Sequence, residues 1–454
     1  MITYSIIQKS QIETAHRIDA EYFQPRFLDI EKKVFLSKSY KLWGDIAGHF
    51  ITGPFGSEFI VDNYTTDSHY RYIRGKDVKE FFLLDEDNVY IPKSDFERLK
   101  KYSLKEGDIL VSVVGTLGNV SIIDSSIPPA IFSCKSTVFR AESIGTYYLI
   151  AYLNSEYGRS LLERNMRGAV QTGLNIDDLK SLPIVIPSKK QQEAISVIII
   201  DAQKMFGVSK ALYSQAEDLL LDELGFKDFK IEDDLTYTVN LSDIKSAHRA
   251  DADYFQPKYK RVLSQIKTHN TRLLGDLVSM KKGVEPGSDA YQDEGKLFIR
   301  VSSITKHGII DKDQKYLGNE LYQALRKNYE PKIGDILLTK DATPGIAYVL
   351  KEPIEGIIAG GIIRLKIKED IEPEYLALCI NSVIGQMQIE RDAGGSVIVH
   401  WKPEQIKNLR IPILPKITQQ KVADLVQQSH DARKKAKELL EQAKREVEEL
   451  IEQQ

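Results

Sequence analysis

Several short stretches of this sequence carry residues able to do chemistry, and they come in matching pairs. In the first half they are TGPFGSEF (52–59), RGKDV (74–78), GTLGN (115–119) and RNMRGAVQTG (164–173). In the second half they are KKGVEPGSDAY (281–291), RVSSI (300–304), KDATPG (340–345) and ERDAGGSVIVHWK (390–402). All are glycine-rich or polar, and most are basic. Arg and Lys suit phosphates and guanine edges, Asn and Gln suit adenine, and Gly lets a backbone approach closely. The chemistry on offer is therefore hydrogen bonding to an anionic, base-bearing polymer. Any one glycine, such as Gly115, Gly118 or Gly345, is better explained as a turn; the argument rests on the paired set.

Bond-making chemistry has little support. There is no glycine-rich phosphate loop with a following Lys-Ser/Thr, no GxSxG elbow and no N/D-P-P-Y/F motif for amino methylation. The eight histidines lack metal-ligand spacing. His16 and His248 recur in corresponding places, and the reading that suits them is a hydrogen-bonded structural histidine packed beside Tyr22 or Tyr254. Asp19 or Asp29 with Glu31, Lys32 and Lys33 imitates a nuclease triplet, but in helical context. Two cysteines, Cys134 and Cys379, frame neither a zinc site nor a disulfide set. With no signal-peptide pattern and no apolar run of membrane length, a reducing, cytoplasmic setting is expected. The net charge of −3 and pI near 6.3 argue against tight nucleic-acid binding by the chain alone, though not against local basic faces.

The elements that must position these loops form a tandem duplication. AHRIDAEYFQPRF (15–27) and AHRADADYFQPKY (247–259) share nine of thirteen positions at a displacement of 232 residues. LWGDIA answers LLGDLV, KEGDILVS answers KIGDILLT, NSEYG answers NSVIG, and LKSLPIVIP answers IKNLRIPIL. The GDIL segments read as strands, and 156–167 and 374–391 read as helices. The fold class expected is α+β, with a curved antiparallel or mixed sheet in each half.

Each half closes on a QQ pair, Gln191–Gln192 or Gln419–Gln420, and a long helix. Ile195, Ile198, Ala202, Met205, Ser209, Leu212, Ala216 and Leu219 follow coiled-coil spacing. So do Val422, Leu425, Ala432, Ala436, Leu439, Ala443, Val447 and Leu450. The divisions expected are a first recognition domain over 1–187, a spacer helix over 188–224, a second domain over 225–415 and a C-terminal helix over 416–454. A rod of about 55 Å follows for the first helix at its ordinary rise per residue. That is long enough to separate two major-groove readers by one DNA turn, about 34–36 Å.

The ordered set LWGDIA, YIRGKDV, KEGDILVS, GTLGN, LNSEYG, LKSLPIVIP and QQEAI resembles the target-recognition half of a type I restriction–modification specificity subunit, and the second half carries a parallel set. The resemblance spans essentially the whole chain. It implies two target-recognition domains separated by two helices paired as an antiparallel coiled coil. Each domain would read one part of a split site in double-stranded DNA, and the helices would dock methyltransferase subunits. It also implies that the chain is non-catalytic and binds no cofactor. S-adenosylmethionine would belong to the methyltransferase subunits, and ATP and Mg to restriction/translocase subunits. On this reading the contacts expected in the first domain are Arg74, Lys76, Thr116, Asn119, Arg164, Arg167 and Gln171. In the second they are Lys281, Lys282, Ser302, Lys340, Thr343, Arg391, His400 and Lys402. The second half departs from the first at Pro344, where the first has Leu117, and lacks a counterpart of Gln171. Competing readings are the specificity subunit of another restriction–methylation type, a duplicated coiled-coil interaction scaffold without DNA, and a stand-alone methyltransferase or nuclease.

Overall fold

The computed structural model describes residues 4–453 apart from 38, 55–57, 66–67, 86, 116, 169–171, 228, 230–233, 311–313 and 394–398. The chain forms two compact units, Met1–Phe206 with Lys434–Gln454, and Gly207–Arg433. Each is a mixture of helices and small sheets, in agreement with the α+β expectation.

In the first unit a five-stranded sheet runs in the order Gly48–Thr52, Ser136–Ala141, Ile109–Ser112, Val120–Ile122, Phe81–Phe82. A three-stranded sheet sets Tyr70–Ile73 between Val89–Ile91 and Ala130–Phe132, parallel to the latter. The second unit has a four-stranded sheet in the order Val278–Lys282, Ile362–Ile367, Ile336–Thr339, Ala347–Val349. Beside it Lys296–Ile299 pairs parallel with Gly356–Ile358. The strands of the GDIL segments are buried on both faces, so they read as apolar runs without alternation.

The repeated motifs have matching physical roles. Gly107 and Gly334 take left-handed backbone (φ 84° and 85°), and the next residues, Asp108 and Asp335, each accept a hydrogen bond of 2.8 Å from the amide of Lys105 or Lys332. The GD pair is therefore a side-chain-closed turn into a strand. In NSEYG and NSVIG the asparagine amide ties helix to sheet, Asn154 to the Val120 carbonyl at 3.1 Å and Asn381 to that of Ala347 at 2.8 Å. The serine interrupts the helix. The sequence reading of one helix over 374–391 is thus corrected to two, Pro373–Asn381 and Val383–Asp392. The glycine lets the second helix press on the first: a Cβ at Gly158 would lie 2.1 Å from the Tyr152 carbonyl oxygen, and at Gly385 2.3 Å from that of Ile380.

The long helices run Lys189–Glu223 and Lys416–Glu452. In the first unit Ile195, Ile199 and Ala202 share a core with Leu440, Ala443, Val447 and Ile451. In the second, Tyr213, Ala216, Leu220 and Leu224 share one with Val422 and Val426. Within each unit the two segments therefore run antiparallel. The deepest positions include Ile199, Tyr213 and Leu220, one step beyond the expected Ile198, Leu212 and Leu219, which are only partly buried. A helix covering both a partner helix and a domain needs a wider apolar face than a two-per-heptad seam. One glutamine of each QQ pair is the latch, the second in the first half and the first in the second: Gln192 accepts from the Gly145 amide at 3.1 Å, and Gln419 from the Glu372 amide at 3.2 Å.

His430 is largely buried in the second unit beside Glu374, at 3.9 Å, with Lys351, Arg433 and Asp431 nearby. Burial, aided by the two cations, pulls its pKa down to about 4. Between that value and about 6.5 the unfolded chain binds more protons than the folded one. This contribution is therefore complete above pH 6.5 and is lost as the pH falls toward 4, by up to about 3 kcal/mol. Urea midpoints at pH 7 and pH 5 will show the loss, and His430→Gln will flatten that part of the slope.

Candidate nucleic-acid interface

The paired loops converge, in each unit, on a segment that the sequence reading did not single out. In the first unit it is Ser133–Lys135 and in the second 359–361, each directly after a parallel strand. Val113 donates to the Lys135 carbonyl at 2.9 Å, and Lys340 donates to that of Gly361 at 2.9 Å. A Cβ at Gly53 would lie 2.5 Å from the Ser133 carbonyl, and at Gly283 2.2 Å from that of Ala359. Gly75 sits against the Lys135 side chain, and Gly361 against Val301. The remaining pair of loops is joined by bridges, Val114 with Gly173 and Asp341 with His400. The Leu174 amide donates to Val113 at 3.0 Å, and the Trp401 amide to Lys340 at 2.9 Å. Each unit therefore gathers the same loops around one short hub, SCK in the first and AGG in the second. Small residues after a buried strand were the signal available, and Lys135, exposed at this hub, is the functional candidate missed.

The AHR-D-YF repeat clamps the base of the 164–173 loop and its counterpart. His16 and His248 end short helices in left-handed backbone, φ 51° and 52°. That is their structural role, and the arginine beside each, not the histidine, packs on the tyrosine. Arg17 pairs with Asp19, donates to the carbonyls of Asn165 (3.2 Å) and Met166 (3.0 Å), and lies 4.5 Å from the Tyr22 ring centre. Arg249 repeats this with Asp251, the carbonyls of Arg391 and Asp392, and Tyr254. Each clamp satisfies carbonyls left open where a helix ends.

The expected contact residues divide by placement. Thr116 and Gln171 lie outside the described residues. Arg74 is largely buried, bound to Asp77 at 3.0 Å and to Asp87. Asn119 donates to the Val78 carbonyl at 3.2 Å and so ties two loops together. Arg164, with 4% of its side chain exposed, pairs with Glu31 and donates to the Tyr22 carbonyl at 3.0 Å. This pair also removes Glu31 from the nuclease-like triplet. Lys340 is nearly buried against Asp341, and Arg391 is bound to Asp392 at 2.7 Å. These side chains hold loops in place.

Others reach solvent. Lys76 is exposed and paired with Asp87 at 2.8 Å. Arg167 is 51% exposed while bound to buried Asp178 at 2.7 Å. Lys282, Ser302, Thr343 and Lys402 are exposed, and His400 is exposed with Nδ1 2.7 Å from Asp341. Lys281 is half-buried and donates to Asn328 at 2.9 Å. Burial pushes the Asp341 carboxyl up, but hydrogen bonds from Lys340 and His400 outweigh this and hold it below the usual range. Ala342 takes left-handed backbone (φ 61°) where the first half has Gly115 (φ 89°), a local strain within this loop. Glycine fits φ > 0 at 115, 118 and 345, so turn geometry accounts for all three.

A family model for the type I restriction modification DNA specificity domain matches residues 85–217 and 266–446, well over half of the chain. The chain belongs to this family. It is a specificity subunit of a type I restriction–modification system, non-catalytic as its family is. The putative type I restriction enzyme MjaX specificity subunit of Methanocaldococcus jannaschii is 21% identical over 374 residues, 80% of this chain and 81% of that one. The S subunit of a type I system from M. genitalium matches over 91% of this chain and 94% of its own, at 15% identity and TM-score 0.41. The HsdS subunit from Thermoanaerobacter tengcongensis matches over 90% and 95%, at 12% identity and TM-score 0.27. Among the described residues no helix of this specificity subunit is long and apolar enough to cross a membrane. Nor is there, among them, a cluster of three or more His, Cys, Asp or Glu that could hold a metal.

Proposed function

We propose that each recognition domain of this specificity subunit reads one part of a bipartite site in double-stranded DNA, and that the long helices dock methyltransferase subunits. The observation that carries this reading is the duplicated loop hub. Scaffold, clamp and latch are alike in the two units, whereas the side chains gathered at the hub differ, as two readers of two sequences require. The exposed Lys76, Lys135 and Arg167 serve as contacts in the first domain, and Lys282, Ser302, Thr343, His400 and Lys402 in the second. Arg74, Asn119, Arg164, Lys340 and Arg391 set the shape of those loops. S-adenosylmethionine is supplied by the methyltransferase subunits, and ATP with Mg by restriction/translocase subunits; this chain holds none of them.

Co-expression with the methyltransferase subunit, followed by single-molecule sequencing of methylated adenine, tests the reading. One split motif, lost when this chain is omitted, is the expected result. A stable complex without motif-specific methylation would favour an interaction scaffold. In the same assay Arg167→Ala is expected to relax the motif at one half only. Equal loss at every sequence would make Arg167 a phosphate contact.

A further inference from the structure

Each recognition domain meets its helix segments through the loop that follows RGKDV or RVSSI, and the charges at the two meeting points are opposite. In the first unit Glu80 lies 3.5 Å from Lys444 of the C-terminal helix and pairs also with Arg159. Lys444 is only 15% exposed and sits 5.8 Å from the Phe81 ring centre. The repeat places Lys306 at the position of Glu80, Glu217 of the central helix at that of Lys444, and Gln386 at that of Arg159. In the second unit Lys306 lies 4.8 Å over the Tyr213 ring. Glu217 stands one turn further along that helix, half-buried and within electrostatic reach of Lys306. His307, in the place of Phe81, meets the edge of Tyr213 at 5.0 Å.

The Gln192 and Gln419 latches do not tell the domains apart, because they are equivalent and bind backbone amides. We propose that the inverted pair, Glu80 with Lys444 and Lys306 with Glu217, is a matching code by which each recognition domain selects its own helix segments. A domain on the wrong segments would set Glu80 against Glu217, or Lys306 against Lys444. Like charges held together in a partly dry contact are a repulsive element against the wrong partner. The helix seam carries a second difference. Ser209 and Ser429 form a fully buried hydrogen-bonded pair (3.1 Å) in the second unit, where the equivalent positions of the first are Ala436 and Ala202.

The test reverses polarity in the full-length chain without moving a domain. Arg159→Gln serves as the parent, since Gln is the residue of the second unit at that place. Adding Glu80→Lys and Lys306→Glu gives both loops the polarity of the other domain. Hydrogen exchange over 75–82 and 301–308 is expected to rise about tenfold, and less so at high salt. Adding Lys444→Glu and Glu217→Lys then restores the parental rates. Unchanged exchange in the loop-reversed chain would overturn the code, as would failure of the helix reversals to restore it. If the loop-reversed chain does not fold, Lys444→Glu and Glu80→Lys, each alone and together, give the same decision in the first unit.

Discussion

Arg164→Ala will destabilise the first unit by about 3 kcal/mol, the cost of removing one partner of a buried ion pair. The guanidinium does three things at once. It neutralises Glu31, caps the Tyr22 carbonyl at 3.0 Å and lies 4.0 Å from the Tyr22 ring centre. Truncation leaves Glu31, itself three-quarters covered, without its cation. The counterpart Arg391→Ala should cost below about 1 kcal/mol, because Arg391 is more exposed and its ion pair is to its own neighbour, Asp392. Each unit carries one buried tryptophan, Trp43 or Trp401, so urea unfolding of a single-tryptophan chain reports one unit at a time. Equal effects in the two units would show that the Glu31 pair contributes little.

The second large effect separates two opposed rules for glycine. In an ordinary helix position Gly→Ala stabilises by about 1 kcal/mol. At Gly158 and Gly385 the added carbon would meet backbone at 2.1 Å and 2.3 Å, so the paired helices would have to part. Overpacking of this kind costs about 3 kcal/mol, and backbone cannot swing aside as a side chain can. Gly158→Ala should therefore unfold the first unit early, and Gly385→Ala the second. Gly207, in the exposed middle of the central helix with nothing within 4 Å of its absent Cβ, is the control. Gly207→Ala is expected to raise the urea midpoint. A rise at all three positions would mean that the NS–G helices are not tightly opposed.

Much of the architecture was legible because its causes are local. A GD pair makes a turn by its own backbone freedom and its own carboxylate. A stripe of apolar residues at three-and-four spacing must be covered whatever the rest of the chain does. A motif repeated at a nearly constant offset reports a repeated domain. These properties belong to neighbouring residues, so the duplication, the α+β character and the two long helices could be read without coordinates. The break at Ser382 could not, since a serine within helical spacing also fits an unbroken helix. What broke it was the need to press Gly385 against the preceding helix.

The recognition loops were legible as segments but not as sites. Residue type alone makes Arg74, Arg164 and Arg167 alike, and each a plausible nucleic-acid contact. Tertiary partners distinguish them: Asp77 and Glu31 take the first two into the domain, while Asp178 holds the third at the surface with half its side chain in solvent. The hub at 133–135 and 359–361 was invisible for the same reason, since its importance lies in four loops meeting there and not in its own composition. By itself the sequence determined the repeat, the helical rods and the absence of catalytic motifs, because periodicity and spacing act over a few residues. Only the tertiary structure decided which cations are free to meet a partner, because an ion pair depends on residues brought together from distant parts of the chain.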